Sequence, residues 1–105
     1  MESKLCIEKL TELRDDIVRL CAPRNIYLFS QKQKMSGDVC AVKLCVIISD
    51  GDAHKVEHKL YVELESEIPF DVLVYTDEEW RLLLENKMSF ASHILKSGRV
   101  LYAAD

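Results

Sequence analysis

The ten-residue run from Val39 to Ile48, VCAVKLCVII, constrains the fold more than any other segment of this chain. Five of its residues are β-branched and Lys43 is its one charge, so it reads as a strand buried in a sheet. It falls well short of the about 20 apolar residues that span a bilayer. A buried strand needs neighbouring strands and covering helices, and the flanking segments carry patterns for both.

Ahead of the run, Leu5, Cys6, Leu10, Leu13, Ile17, Val18 and Leu20 recur at spacings of three and four, which predicts an amphipathic helix over Glu2 to Cys21. Pro23 ends it, and Asn25 to Phe29 reads as a short first strand. Residues 30–38, SQKQKMSGD, are polar and basic, and Ser36-Gly37-Asp38 is a turn signal. After the buried run, Ser49-Asp50-Gly51-Asp52 is a second turn.

Residues 53–66 fit two patterns. Val56, Leu60 and Leu64 at spacing four suit a helix, whereas Leu60, Val62 and Leu64 alternating with Tyr61, Glu63 and Glu65 suit a strand. Beyond Pro69, FDVLVY is a strand, and Thr76 with Glu79 has the capping-box spacing that starts a helix near Asp77. Phe90 to Lys96 continues helically to Gly98, read as the C′ residue, and RVLY closes as a short strand. The expected fold is α/β: a small mixed sheet of three core strands plus a short C-terminal strand, flanked by helices, in one domain over residues 1–105.

Composition narrows the function. Fourteen basic against eighteen acidic residues give a net charge of −4, which argues against strong nucleic-acid binding. Residues 1–48 carry 8 basic and 6 acidic groups and residues 49–105 carry 6 and 12, so an anionic ligand is expected to meet the first half. MESKLCIEKL lacks the apolar stretch of a signal peptide, and the chain is expected to be cytoplasmic and free of membrane. Cys6, Cys21, Cys40 and Cys45 form no CxxC pair and read as reduced structural thiols.

Ordinary catalytic constellations fail on inventory. His54 and His58 are four apart, but no Glu follows His54 in the HExxH manner and no third ligand is evident, so both read as solvated; His93 stands alone. There is no P-loop and no GxGxxG, and no base marks a cysteine as a nucleophile.

The order helix, IYLFSQ, basic stretch, AVKLCVII, IPFDVLVYTDEEW, SFASHILKSGRVLY resembles the minimal nucleotidyltransferases of the DNA polymerase beta-like superfamily. The resemblance runs from about Asn25 to Tyr102, and its most specific parts are Pro69 to Thr76 and Ile94 to Tyr102. It implies a helix over residues 53–66. In that family a Gly-Ser pair after the first strand admits the nucleoside triphosphate, and a D-x-D pair on the second strand joins a third Asp to hold two magnesium ions. Alternate strand residues point the same way, so D-x-D aims two carboxylates at one place.

This chain departs from the pattern. The Gly-Ser positions read Ser30-Gln31, and the D-x-D positions, with the preceding loop one residue short, read Ala41-Val42-Lys43; an ungapped alignment places Val42 and Leu44 there. Only Asp71 survives, and magnesium needs oxygen ligands. Asp38, Asp50 and Asp52 read as turn residues. Lys32 and Lys34 are candidates for contact with an anion.

The expected function is a nucleotidyltransferase-fold protein that has lost metal-dependent transfer and acts as a binding or regulatory partner, antitoxin-like or transferase-subunit-like, with no cofactor. The resemblance implies a HEPN-type helical protein as partner. One alternative is an active transferase using Mg²⁺ and ATP or another nucleoside triphosphate; a second is a self-associating domain without nucleotide binding. Two structural expectations follow. Lys43 should pair with Asp71 where the metals would sit, and Trp80, Leu83 and Phe90 should form partly covered apolar surface for a second copy or a partner.

Overall fold

A computed structural model describes residues 4–33, 35 and 39–104, and the side chains of these apart from 4–7, 33, 39 and 40. The elements in order are α1 (Lys4–Cys21), β1 (Asn25–Gln33), β2 (Val39–Ile48), α2 (Ala53–Glu63), β3 (Phe70–Thr76), α3 (Asp77–Leu84), α4 (Phe90–Ser97) and β4 (Arg99–Ala103). The four strands form one mixed sheet in the order β3-β2-β1-β4. β1 pairs antiparallel with β2 and with β4, while β2 and β3 run parallel across the crossover through α2. The fold is therefore the expected mixed sheet flanked by helices.

The apolar run is continuous because β2 is buried on both faces. Leu44, Val46 and Ile48 pack with Ile26, Leu28, Val72 and Val74 under α1 and α2, whose Leu13, Ile17 and Leu60 close that core. Cys45 and Ile47, on the opposite face, join Tyr27, Trp80, Ala91 and Ile94 under α3 and α4. Helices on both faces are what a strand of this composition requires. Among the described side chains of α1, Leu10, Leu13 and Ile17, spaced at three and four, are buried and Val18 and Leu20 pack against them half-buried, so that part of the stripe read from sequence faces the core.

Tertiary contacts decide residues 53–66 in favour of a helix ending at Glu63. Asp52 caps it, its carboxylate accepting the Lys55 N–H at 3.2 Å. The capping box at Thr76 is formed in both directions: the Glu79 N–H donates to the Thr76 hydroxyl at 3.1 Å and the Thr76 N–H to Glu79 Oε1 at 2.9 Å.

Three local expectations need correction, and one lies outside the described residues. β1 extends to Gln33, because the polar residues after Phe29 pair with Lys43, Val42, Ala41 and Val39 of β2 instead of forming a loop. The Ser36-Gly37-Asp38 turn lies outside the described residues. Gly98 is not left-handed; its φ of −79° is ordinary, and glycine is needed because a Cβ there would lie 2.6 Å from the Ile94 carbonyl oxygen. Trp80 is core rather than surface, stacked on Tyr27 with centroids 5.6 Å apart, and Leu83 is half-buried. The sheet is covered on both faces, so of that trio only Phe90 remains exposed, edge-on to Phe29 at 5.2 Å.

Candidate functional site

Along the α3/α4 face of β2, Ile47 and Cys45 are buried, and two residues earlier Lys43 is exposed. The helices stop short of this end of the sheet, which leaves a cleft of about 230 Å³ across β1, β2 and β3. Ser30, Lys32, Ala41, Lys43 and Asp71 line it, together with Val42, Pro69 and Phe70.

Two registers bring these residues together. In the parallel β2–β3 pair, Lys43 lies beside Asp71, so both project from one face. On β1, the pairing shifts between Leu28, opposite Leu44, and Ser30, opposite Lys43, so that Phe29 is an extra residue. A bulge of this kind reverses which positions face which side. Leu28 therefore points into the α1/α2 core while Ser30 and Lys32 point the other way, toward Lys43 and Ala41. Gln31 falls opposite Val42 and lines a neighbouring pocket with Phe29, Ser97 and Arg99. Lys34 and Asp38 lie outside the described residues.

On β3, beside the cleft, lies a contact with no local sequence signal. Tyr61 of α2 stacks on Phe70 at 5.7 Å between ring centroids. Its hydroxyl accepts the Val72 N–H at 2.9 Å and donates to the Val72 carbonyl at 3.3 Å. Both groups lie on the open edge of β3, which Tyr61 thereby covers. Tyr61 alternated with the apolar residues in the strand reading of residues 53–66 and was not among the apolar positions of the helical one, so only its packing reveals it.

The expected Lys43–Asp71 ion pair is not formed: the two are register neighbours, but the ion pairs within 4.0 Å among the described residues are made by other groups. Both side chains are exposed, and water solvates each about as well as the other would, so little favours fixing two flexible chains together.

Other candidates are scattered. His54 and His58 sit exposed on α2, and His93 is exposed on α4 with its ring nitrogen 3.4 Å from the Ser97 hydroxyl. Asp50 and Asp52 line a pocket with Glu78 and Glu79 at the far end of β2, away from Asp71. Cys21 and Cys45 are free thiols. Burial pushes Cys45 up to about 12 and Cys21 up to about 11, which leaves neither a nucleophile near neutral pH. The side chains of Cys6 and Cys40 lie outside those described.

For two magnesium ions the donor set of the cleft does not fit. Its lining side chains offer one carboxylate, Asp71, beside two ammonium groups and a hydroxyl, whereas magnesium is held by oxygen ligands and usually by more than one carboxylate. In either register that the sequence resemblance allows, the positions of the paired carboxylates hold none: they are Ala41 and Lys43, or Val42 and Leu44.

No protein-family model, curated protein or solved structure matches this chain. No helix among the described residues is long and apolar enough to cross a membrane.

Proposed function

We propose that the chain is a nucleotidyltransferase-like domain without metal-dependent transfer, working as the binding or regulatory subunit of a two-protein system. One observation carries this reading: the positions that the resemblance assigns to the metal carboxylates, Ala41 and Lys43, line the same cleft as Asp71, and they carry no carboxylate. Nucleotidyl transfer depends on neutralising charge on the phosphates, and two cations held by one Asp would leave most of it exposed. By the same resemblance the partner is a HEPN-type helical protein.

Labelled ATP, CTP, GTP and UTP, offered with Mg²⁺ or Mn²⁺ and protein, RNA or antibiotic acceptors, should leave no label on any acceptor. Label that appears covalently and vanishes in Asp71→Ala would establish the active transferase instead. Co-purification from the native host should bring down a helical protein. Self-association is the second reading, favoured by Phe90, Leu95 and Val100, all about half exposed in and beside α4 and β4. A dimeric mass by light scattering with no partner recovered would select it.

A further inference from the structure

We propose that the cleft binds an oxyanion of phosphate or pyrophosphate size without a divalent metal, held by the Lys32 and Lys43 ammonium groups and the Ser30 hydroxyl. The proposal rests on reading the cleft as one that does not hold its metals, and it adds what takes their place.

Charge is the first argument. Lys32 and Lys43 line one cleft, and neither has a carboxylate within 4.0 Å among the described residues. Their positive charge is available to a ligand. Two ammonium groups against Asp71 make the lining net positive, although the chain as a whole carries −4. A divalent cation entering there meets repulsion from two sides, whereas an oxyanion meets attraction from both and a hydroxyl able to donate.

Size and geometry are the second. At about 230 Å³ the cleft is below the roughly 300–1,000 Å³ of pockets that enclose a whole small molecule, so it suits one or two phosphate groups with any remainder outside. The β1 bulge is what turns Ser30 and Lys32 toward Lys43, so all three donors face one space. Among the described lining residues, Asp71, beside Lys43, is the group that opposes an anion.

Those signs differ from metal-dependent binding at every step, which makes the test sharp. The full chain is titrated by calorimetry with inorganic pyrophosphate and with ATP, first in EDTA and then with excess Mg²⁺, and adenosine serves as a third probe. Both phosphate compounds should bind in EDTA, more weakly as salt rises, and Mg²⁺ should weaken binding by neutralising the ligand. Lys32→Met and Lys43→Met should each weaken binding about fivefold, the scale of one exposed charge contact. Asp71→Asn should strengthen it. Equal affinity for pyrophosphate and ATP identifies the free phosphate group as the ligand, and tighter ATP identifies a nucleotide's phosphates; both support the proposal. No binding in EDTA at millimolar concentration, strengthening by Mg²⁺, unchanged affinity in both lysine variants, weakening by Asp71→Asn, or binding of adenosine alone would each overturn it. All three substituted residues are exposed, and far-UV circular dichroism confirms that each variant is folded. Covalent transfer of label would remove the functional reading whatever the titrations give, whereas absent binding without transfer removes only the anion site.

Discussion

Gly98 and Gly51 show how one residue type answers two different demands. Gly98 sits at ordinary backbone angles but has no room for a side chain: a Cβ would meet the Ile94 carbonyl at 2.6 Å and the Leu28 carbonyl at 3.3 Å, both backbone atoms that cannot turn aside. Gly51 has open space around it and a φ of +103°, which a side chain disfavours. Gly98→Ala should therefore cost more stability, roughly 2–3 kcal/mol against about 1 kcal/mol for Gly51→Ala, measured by urea unfolding. Cys45 makes a second residue-scale case. Burial in the α3/α4 core raises its thiol from the ordinary 9.0 to about 12, so the folded chain keeps a proton that the unfolded chain releases. The stability it contributes is whole below pH 9 and declines as pH rises toward 12. Unfolding midpoints should fall above pH 9, and Cys45→Ala, though less stable at neutral pH, should show a shallower alkaline decline. The Tyr27 and Tyr75 hydroxyls, raised by the same burial, add to the slope in both proteins.

At the scale of elements, the capping box of α3 was fully legible because its chemistry is local. Thr76→Ala removes the acceptor of the Glu79 N–H and should cost about 1 kcal/mol, checked by thermal unfolding. α2 was not legible from its own pattern, which satisfies two periodicities over the same stretch; the resemblance alone implied the helix. What fixes it as a helix is the crossover that parallel β2 and β3 require and the place for Leu60 in the α1/α2 core. Tyr61 then finds its use on the β3 edge. Tyr61→Phe keeps the stack on Phe70 but removes the hydroxyl that bridges both polar groups of Val72. The expected loss is about 1 kcal/mol, with faster amide exchange at Val72 than at its neighbours in β3.

In the molecule as a whole, two cores share one sheet. Leu44 and Cys45 are consecutive residues of β2 that belong to different cores, so loss of this one strand opens both. Unfolding should be a single transition, with the fluorescence of Trp80 and the far-UV circular dichroism signal coinciding. Leu44→Ala in one core and Ile47→Ala in the other should each cost about 2–5 kcal/mol without separating the two signals. A variant in which Trp80 fluorescence changes well before the helical signal would show that the α3/α4 core unfolds on its own.

Strand and helix identity followed from the sequence wherever one periodicity ruled, as in α1, β2, β3 and α3, because burial selects the same residues that the pattern marks. The assignment of Asp71 and Lys43 to neighbouring positions also came from sequence order, through a resemblance rather than through spacing. The tertiary structure alone decided which face Ser30 and Lys32 occupy. By strict alternation from Ile26 and Leu28 they would point under α1 and α2, and the extra residue at Phe29 sends them to the cleft instead. The bulge changes the parity of the residues from Ser30 to Lys32, where a second shift follows, and its position depends on the pairing of β1 with β2, a relation between strands that no local pattern in either one records. The Lys43–Asp71 contact failed for a related reason. Register makes two residues neighbours, but solvent decides whether exposed charges close the remaining distance.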